Sequence, residues 1–217
     1  DALVAACPAP YAVAYVGGNP IDDEMVLSRY PIQSFATLDL LGPLRNVLYA
    51  RIDHPAGLLD VYATHLASGS DLATGVCGVA FGEPCPATCV TAGAATVRDC
   101  QAVQLVAHVA ATHTGAATAL VVGDFNETPG SFVYDQFVAQ GWNDAYLAAG
   151  NPECVPATGV GCTSGRIDDA LTDLETPVLN QSERIDFIWR VPPGGGADCP
   201  ATIEPAGDAD GDGIATR

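Results

Sequence analysis

The chain has 217 residues, 48% of them hydrophobic, which is enough for one sizeable core, and the length favours one domain over two. Acidic residues number 26 against 8 basic ones, giving a formal charge of −18. That balance disfavours binding to long nucleic acids, which depends on basic side chains and counterion release, and no run approaches the length of a membrane span.

Taken in order, residues 1–6 read as the last turn of a helix, followed by a strand within CPAPYAVAYVGG that is entered through two prolines. No signal peptide is visible, so export is inferred from the cysteines. Residues 25–28 and 32–40 read as strands around the Arg29-Tyr30-Pro31 turn, with Arg29 structural. Residues 46–53 and 58–64 alternate as a hairpin connected through residues 54–57, with His54 a turn residue. The second strand ends at His65, which reads either as a satisfied core histidine or as a site residue.

Residues 67–93 are rich in Gly, Ala, Thr and Cys and carry neither helical nor strand period, so they read as a disulfide-stapled insertion. Because it follows His65 directly, this insertion would border a cleft there and shape substrate choice, or else serve stability alone. Residues 94–112 have one apolar face and predict a helix stopped at Gly115, with His108 and His113 capping its end or simply exposed.

The stretch ALVVGDFNETPGS at 119–131 concentrates the polar chemistry. Its apolar run predicts a strand buried on both faces. Gly123 would let the backbone turn, Asp124, Asn126 and Glu127 would emerge at the strand end, and Ser131 would cap the next helix. That helix spans residues 132–139, and Trp142 and Tyr146 read as packing residues beyond it. Residues 150–183 are loop-rich and acidic, and residues 184–190 read as a strand in which Asp186 is costly unless paired.

Eight cysteines, at 7, 77, 85, 89, 100, 154, 162 and 199, point to an oxidising compartment; their spacing lacks the short paired knuckles of zinc sites. Cys154 with Cys162 predicts a local loop closure, and the four between 77 and 100 are expected to pair among themselves. Cys7 and Cys199 are left for each other or for segments outside this chain. The tail at 192–217 is a Pro/Gly linker ending in Asp208, Asp210, Asp212 and Gly213, which reads as the first half of an EF-hand-type structural calcium loop or as a solvated acidic turn.

MVLSRYPI at 25–32, VYATHLAS at 61–68, GDFN at 123–126 and RIDFIW at 184–189, in this order, resemble the endonuclease/exonuclease/phosphatase superfamily over residues 3–191. The resemblance implies an α/β fold, a four-layered α/β/β/α sandwich of two packed mixed sheets, in a domain at 1–191. It implies secreted, metal-dependent phosphodiester hydrolysis. Asp124 would activate water and contact a divalent metal (magnesium first, then calcium or manganese), Asn126 would orient water or phosphate, and His65 would donate to the phosphate or leaving oxygen. Asp186 would hold a second histidine. Thr163 and Asn180, in the passage that varies with substrate, are candidate substrate contacts. Charge leaves small phosphoesters or phospholipid head groups as substrates. The family's amino-terminal Asn/Glu segment and carboxyl-terminal Ser-Asp-His would lie outside this chain. The alternative is a non-catalytic extracellular binding or assembly protein, its sheets completed by a neighbouring chain.

Overall fold

A computed structural model describes residues 12–15, 24–42, 45–68, 85–164 and 182–192. Among the described residues, eight strands and four helices follow one another. They are β1 (Ala12–Tyr15), β2 (Met25–Ser28), β3 (Ile32–Asp39), β4 (Asn46–His54), β5 (Gly57–His65), α1 (Ala87–Thr91), α2 (Val97–Thr112), β6 (Thr118–Asp124), α3 (Phe132–Ala139), β7 (Asn143–Asp144), α4 (Ala145–Ala148) and β8 (Asp186–Val191).

One mixed sheet of six strands has the order β3-β4-β5-β6-β8-β7, and β1 with β2 forms a separate antiparallel pair. Strands β3, β4 and β5 are antiparallel neighbours, whereas β5 and β6 run parallel. Parallel neighbours need a long crossover, and α1 and α2 fall within it. Strand β8 then pairs antiparallel with β6 and with β7.

Alternation along the strands sorts side chains to two faces. Tyr49, Tyr62, Ala119, Val121, Phe187 and Trp189 pack with Leu105 and Val109 of α2 and with Phe137 of α3. Leu48, Ala50 and Ile52 face the other way and pack with Ala14 and Val26 of the two-stranded sheet. The described residues thus make three layers: helices, six-stranded sheet and two-stranded sheet. A second outer layer of helices is not among them.

Helix α2 begins where Thr96 and Asp99 form a reciprocal capping box, with Asp99 N–H on Thr96 Oγ1 at 3.1 Å and Thr96 N–H on Asp99 Oδ2 at 2.9 Å. It begins three residues later than expected and ends at Thr112, the expected end of its apolar face. Its two histidines are not plainly exposed. The His113 side chain is 9% accessible and its Nδ1 lies 3.3 Å from Asp60, while His108 packs edge-on to Tyr62, and burial lowers its pKa. Helix α1 lies inside the stretch expected to be irregular, and Cys89–Cys100 ties it to α2. Cys154–Cys162 closes the loop expected from the spacing. Residues 69–84, with Cys77, lie outside the described residues, as do Cys7 and Cys199.

Candidate active site

Register builds the site. In the parallel β5–β6 pair His65 is opposite Asp124, and in the antiparallel β6–β8 pair Asp124 is opposite Asp186. Opposed residues share a face, so His65, Asp124 and Asp186 form a row across three adjacent strands, on the face away from α2 and α3. Nε2 of His65 lies 3.6 Å from Oδ2 of Asp124, and their side chains are 41% and 30% accessible.

Close approach of β5 and β6 depends on Gly123. Its φ is 146°, and a Cβ there would lie 1.8 Å from the carbonyl oxygen of Thr64. The glycine therefore serves strand contact rather than the expected turn. After Asp124 the chain is pinned inward by Phe125, which is fully buried and contacts Phe137 and Phe187 edge-on. Asn126 then takes a left-handed conformation, φ 52°, that asparagine tolerates. Its backbone N–H donates to Asp124 Oδ1 at 2.8 Å, and its Nδ2 donates to the Leu66 carbonyl at 2.9 Å. One amide N–H and Oδ1 of Asn126 are left for other partners.

Burial raises the pKa of Asp124, and the Asp186 charge adds to the rise; the Asn126 N–H, His65 and Arg45 act in the opposite direction. Asp186 itself is exposed, because β8 turns Phe187, Trp189 and Val191 inward. The cost expected of an unpaired carboxylate at that position therefore does not arise. Strand β8 also begins later than expected, and the preceding Arg184 is buried, paired with Glu153 (2.6 Å) and Asp144 (2.8 Å).

Thr163 supports the start of β8. Its Oγ1 accepts the backbone N–H groups of Ile185 (3.1 Å) and Asp186 (3.2 Å), so it fixes the entry to β8. Asn180 and Asp208, Asp210 and Asp212 lie outside the described residues. Glu127 is occupied by Arg98, whose Nε donates to it at 2.8 Å while Nη1 donates to the Ala67 carbonyl at 3.0 Å. Gln101 Oε1 accepts from Ala67 N–H at 2.8 Å, and Gln101 Nε2 donates to the Leu41 carbonyl at 2.7 Å. Helix α2 thereby fastens the segments leaving β3, β5 and β6 to one another. Sequence reading missed Arg98 and Gln101; their spacing on the buried side of α2 was the available signal.

Among the described residues no group of three or more His, Cys, Asp or Glu side chains converges to hold a metal ion. Two carboxylates, Asp124 and Asp186, are nonetheless side by side in register. Carboxylate oxygens of this kind are donors that a hard divalent cation takes, with the rest of its shell from water and phosphate.

The fold and site define an α/β protein with a His/Asp/Asp row at one end of a mixed sheet. The chain belongs to the Endonuclease/Exonuclease/phosphatase family, whose model matches residues 11–207. Members are typically metal-dependent phosphoester hydrolases. Among solved structures it is similar to D. rerio TDP2 complexed with single strand DNA product, at 15% identity and TM-score 0.52, covering 87% of this chain and 64% of that one. It is also similar to an endonuclease/exonuclease/phosphatase from Bacteroides vulgatus, at 18% identity and TM-score 0.51, covering 84% and 65%. The human Nocturnin catalytic domain with bound sulfate matches at 15% identity and TM-score 0.46, covering 77% and 50%. The chain thus spans from half to just under two thirds of the length of these structures. No curated protein matches it. Among the described residues no helix is long and apolar enough to cross a membrane, and the two disulfides suit an oxidising compartment.

Proposed function

We propose that this chain carries the site of a secreted or periplasmic, metal-dependent phosphodiester hydrolase. The observation that carries the reading is the row itself: His65 meets Asp124 at 3.6 Å, and Asp186 is Asp124's partner on the next strand. Asp124, whose proton affinity is raised, takes the proton of the attacking water. Asn126 orients that water or the phosphate with its remaining N–H and Oδ1. His65 donates a proton or hydrogen bond to the phosphate or the leaving oxygen. Asp186, being exposed, is available to orient a second histidine contributed from outside the described residues.

A divalent cation held by Asp124, magnesium foremost and calcium or manganese otherwise, would neutralise charge on the non-bridging oxygens. The substrate is a small phosphoester or a phospholipid head group. D. rerio TDP2 holds a single-stranded DNA product, but a formal charge of −18 opposes a long nucleic acid here. In this reading the domain covers residues 1–191, with 192–217 a linker ending in the acidic turn. The two sheets are the inner layers of an α/β/β/α sandwich.

A second reading draws on the two-stranded sheet, where Met25 is 48% and Leu27 37% exposed. A strand pair to which no third strand is joined among the described residues, with apolar side chains outward, suits strand addition by a neighbouring chain, as in an assembly protein. Hydrolysis of an activated aryl phosphodiester with added magnesium separates the two. The catalytic reading expects turnover that Asp124→Ala lowers at least about 100-fold, in the range of general acid–base contributions. Turnover equal in the variant, or none from the folded chain, overturns it.

A further inference from the structure

Three of the arginines are neutralised by carboxylates: Arg51 by Asp60 at 2.7 Å, Arg184 by Glu153 and Asp144, and Arg98 by Glu127. Arg45 makes no such pair among the described residues, and its side-chain hydrogen bond there runs from Nη2 to the neutral hydroxyl of Ser68 at 3.3 Å. Among the described residues no carboxylate lies at ion-pair distance from this guanidinium, so its charge is available to an anion at the neighbouring site.

Its placement says where. Arg45 immediately precedes β4, and the Val47–Thr64 pairing brings the start of β4 beside the end of β5, where His65 stands. Ser68 follows His65 by three residues. The Leu40 N–H donates to the Arg45 carbonyl at 2.9 Å, closing the β3–β4 connection at its base. Leu41 within that connection is held to α2 on both backbone atoms, its N–H by Gln104 at 2.8 Å and its carbonyl by Gln101 at 2.7 Å. Arg45 thus follows directly on a connection whose described ends are held in place, beside the end of β5, and its charge acts on the Asp124 carboxyl.

We propose that Arg45, held by Ser68, is the phosphate clamp of this site, taking non-bridging phosphoryl oxygens of the substrate beside His65 and Asp124. The inference rests on the phosphoester reading above and adds the residue that holds the anion. A guanidinium offers paired N–H donors that match phosphate oxygens, and a half-exposed arginine bound to a hydroxyl keeps donors for them. Because the contact exists before and during reaction, its loss raises KM more than it lowers kcat.

The test measures binding of inorganic phosphate to the full chain in the presence of a chelator, by calorimetry or 31P line broadening, together with steady-state hydrolysis. Arg45→Ala should weaken phosphate binding about tenfold to hundredfold, in line with loss of a charge-assisted contact. Arg45→Lys should recover part of it, and Ser68→Ala, which leaves the charge, should cost less than Arg45→Ala. Asp124→Asn should bind phosphate at least as well as the parent chain. Unchanged phosphate binding in Arg45→Ala, or no phosphate binding by the parent chain, overturns the clamp while leaving the hydrolase reading to its own assay. Conversely, Arg45-dependent phosphate binding without turnover supports the clamp and sinks the hydrolase reading.

Discussion

Asp124 and Asp186 are direct partners across an antiparallel strand pair, and the charge of Asp186 raises the proton affinity of Asp124. A fold built for stability alone would not hold like charges there, because each raises the cost of ionising the other. Asp124→Asn should therefore separate stability from activity. The amide oxygen can still accept the Asn126 N–H, while the charge that burial and Asp186 disfavour is gone. At pH 7 the thermal midpoint is expected to rise by about 2–4 °C, the shift that about 1 kcal/mol gives in a chain of this size, while hydrolysis is lost. A lower midpoint in the variant would mean that the pair is not a repulsive one.

At the other end of β5, Asp60 shows the reverse arrangement. Burial alone would raise its pKa, but hydrogen bonds from Arg51, His113 and Tyr49 outweigh burial and hold it below the ordinary carboxylate value. The side chain is fully buried, with Arg51 at 2.7 and 2.9 Å and Tyr49 at 3.0 Å. A depressed folded pKa means stability that is present above the unfolded value, about 4, and is lost as pH falls through the folded one. Urea melts should show this loss below pH 4, and Asp60→Asn should remove much of it. At pH 7 the same variant is expected to lose about 3–5 kcal/mol, since Arg51 is left without its counter-charge.

Gly123 and Gly130 both have positive φ, 146° and 86°, yet only one is crowded. A Cβ on Gly130 meets nothing within 4 Å, whereas one on Gly123 would strike the Thr64 carbonyl. Gly130→Ala should cost about 1 kcal/mol through backbone strain alone. Gly123→Ala should cost several times more, or yield no soluble protein, and any that folds should show disturbed amide shifts at Thr64 and His65. Equal destabilisation of the two variants would contradict the strand-contact role.

Much of the architecture was legible because period and turn chemistry agree locally. The β4–β5 hairpin, β6 with its polar end, α2 and the Cys154–Cys162 loop all follow from neighbours in sequence. Family resemblance named His65, Asp124 and Asp186, but only strand register put them in one row. What escaped was long-range. Helix α1 is one short turn stabilised by a disulfide to α2, so its composition carries no period. The partners of Arg98, Arg184 and His113 lie far along the chain. The outward position of Asp186 was readable after all. Phe187, Trp189 and Val191 outweigh Ile188 and must claim the interior, which turns Asp186 to the other face.

The parallel seam between β5 and β6 also sets an order of events in folding. Hairpin β4–β5 pairs residues that are close along the chain, whereas Leu59 meets Thr118 only after the crossover carrying α1 and α2 has packed. Contacts of such long span are slow to form because loop closure comes first. His65 is therefore in place with the hairpin, but it waits for Asp124, and the site is assembled among the last parts of the molecule. Refolding chains should regain strand and helix signal before they regain function, with Cys89–Cys100 shortening the search by restraining the crossover that must dock.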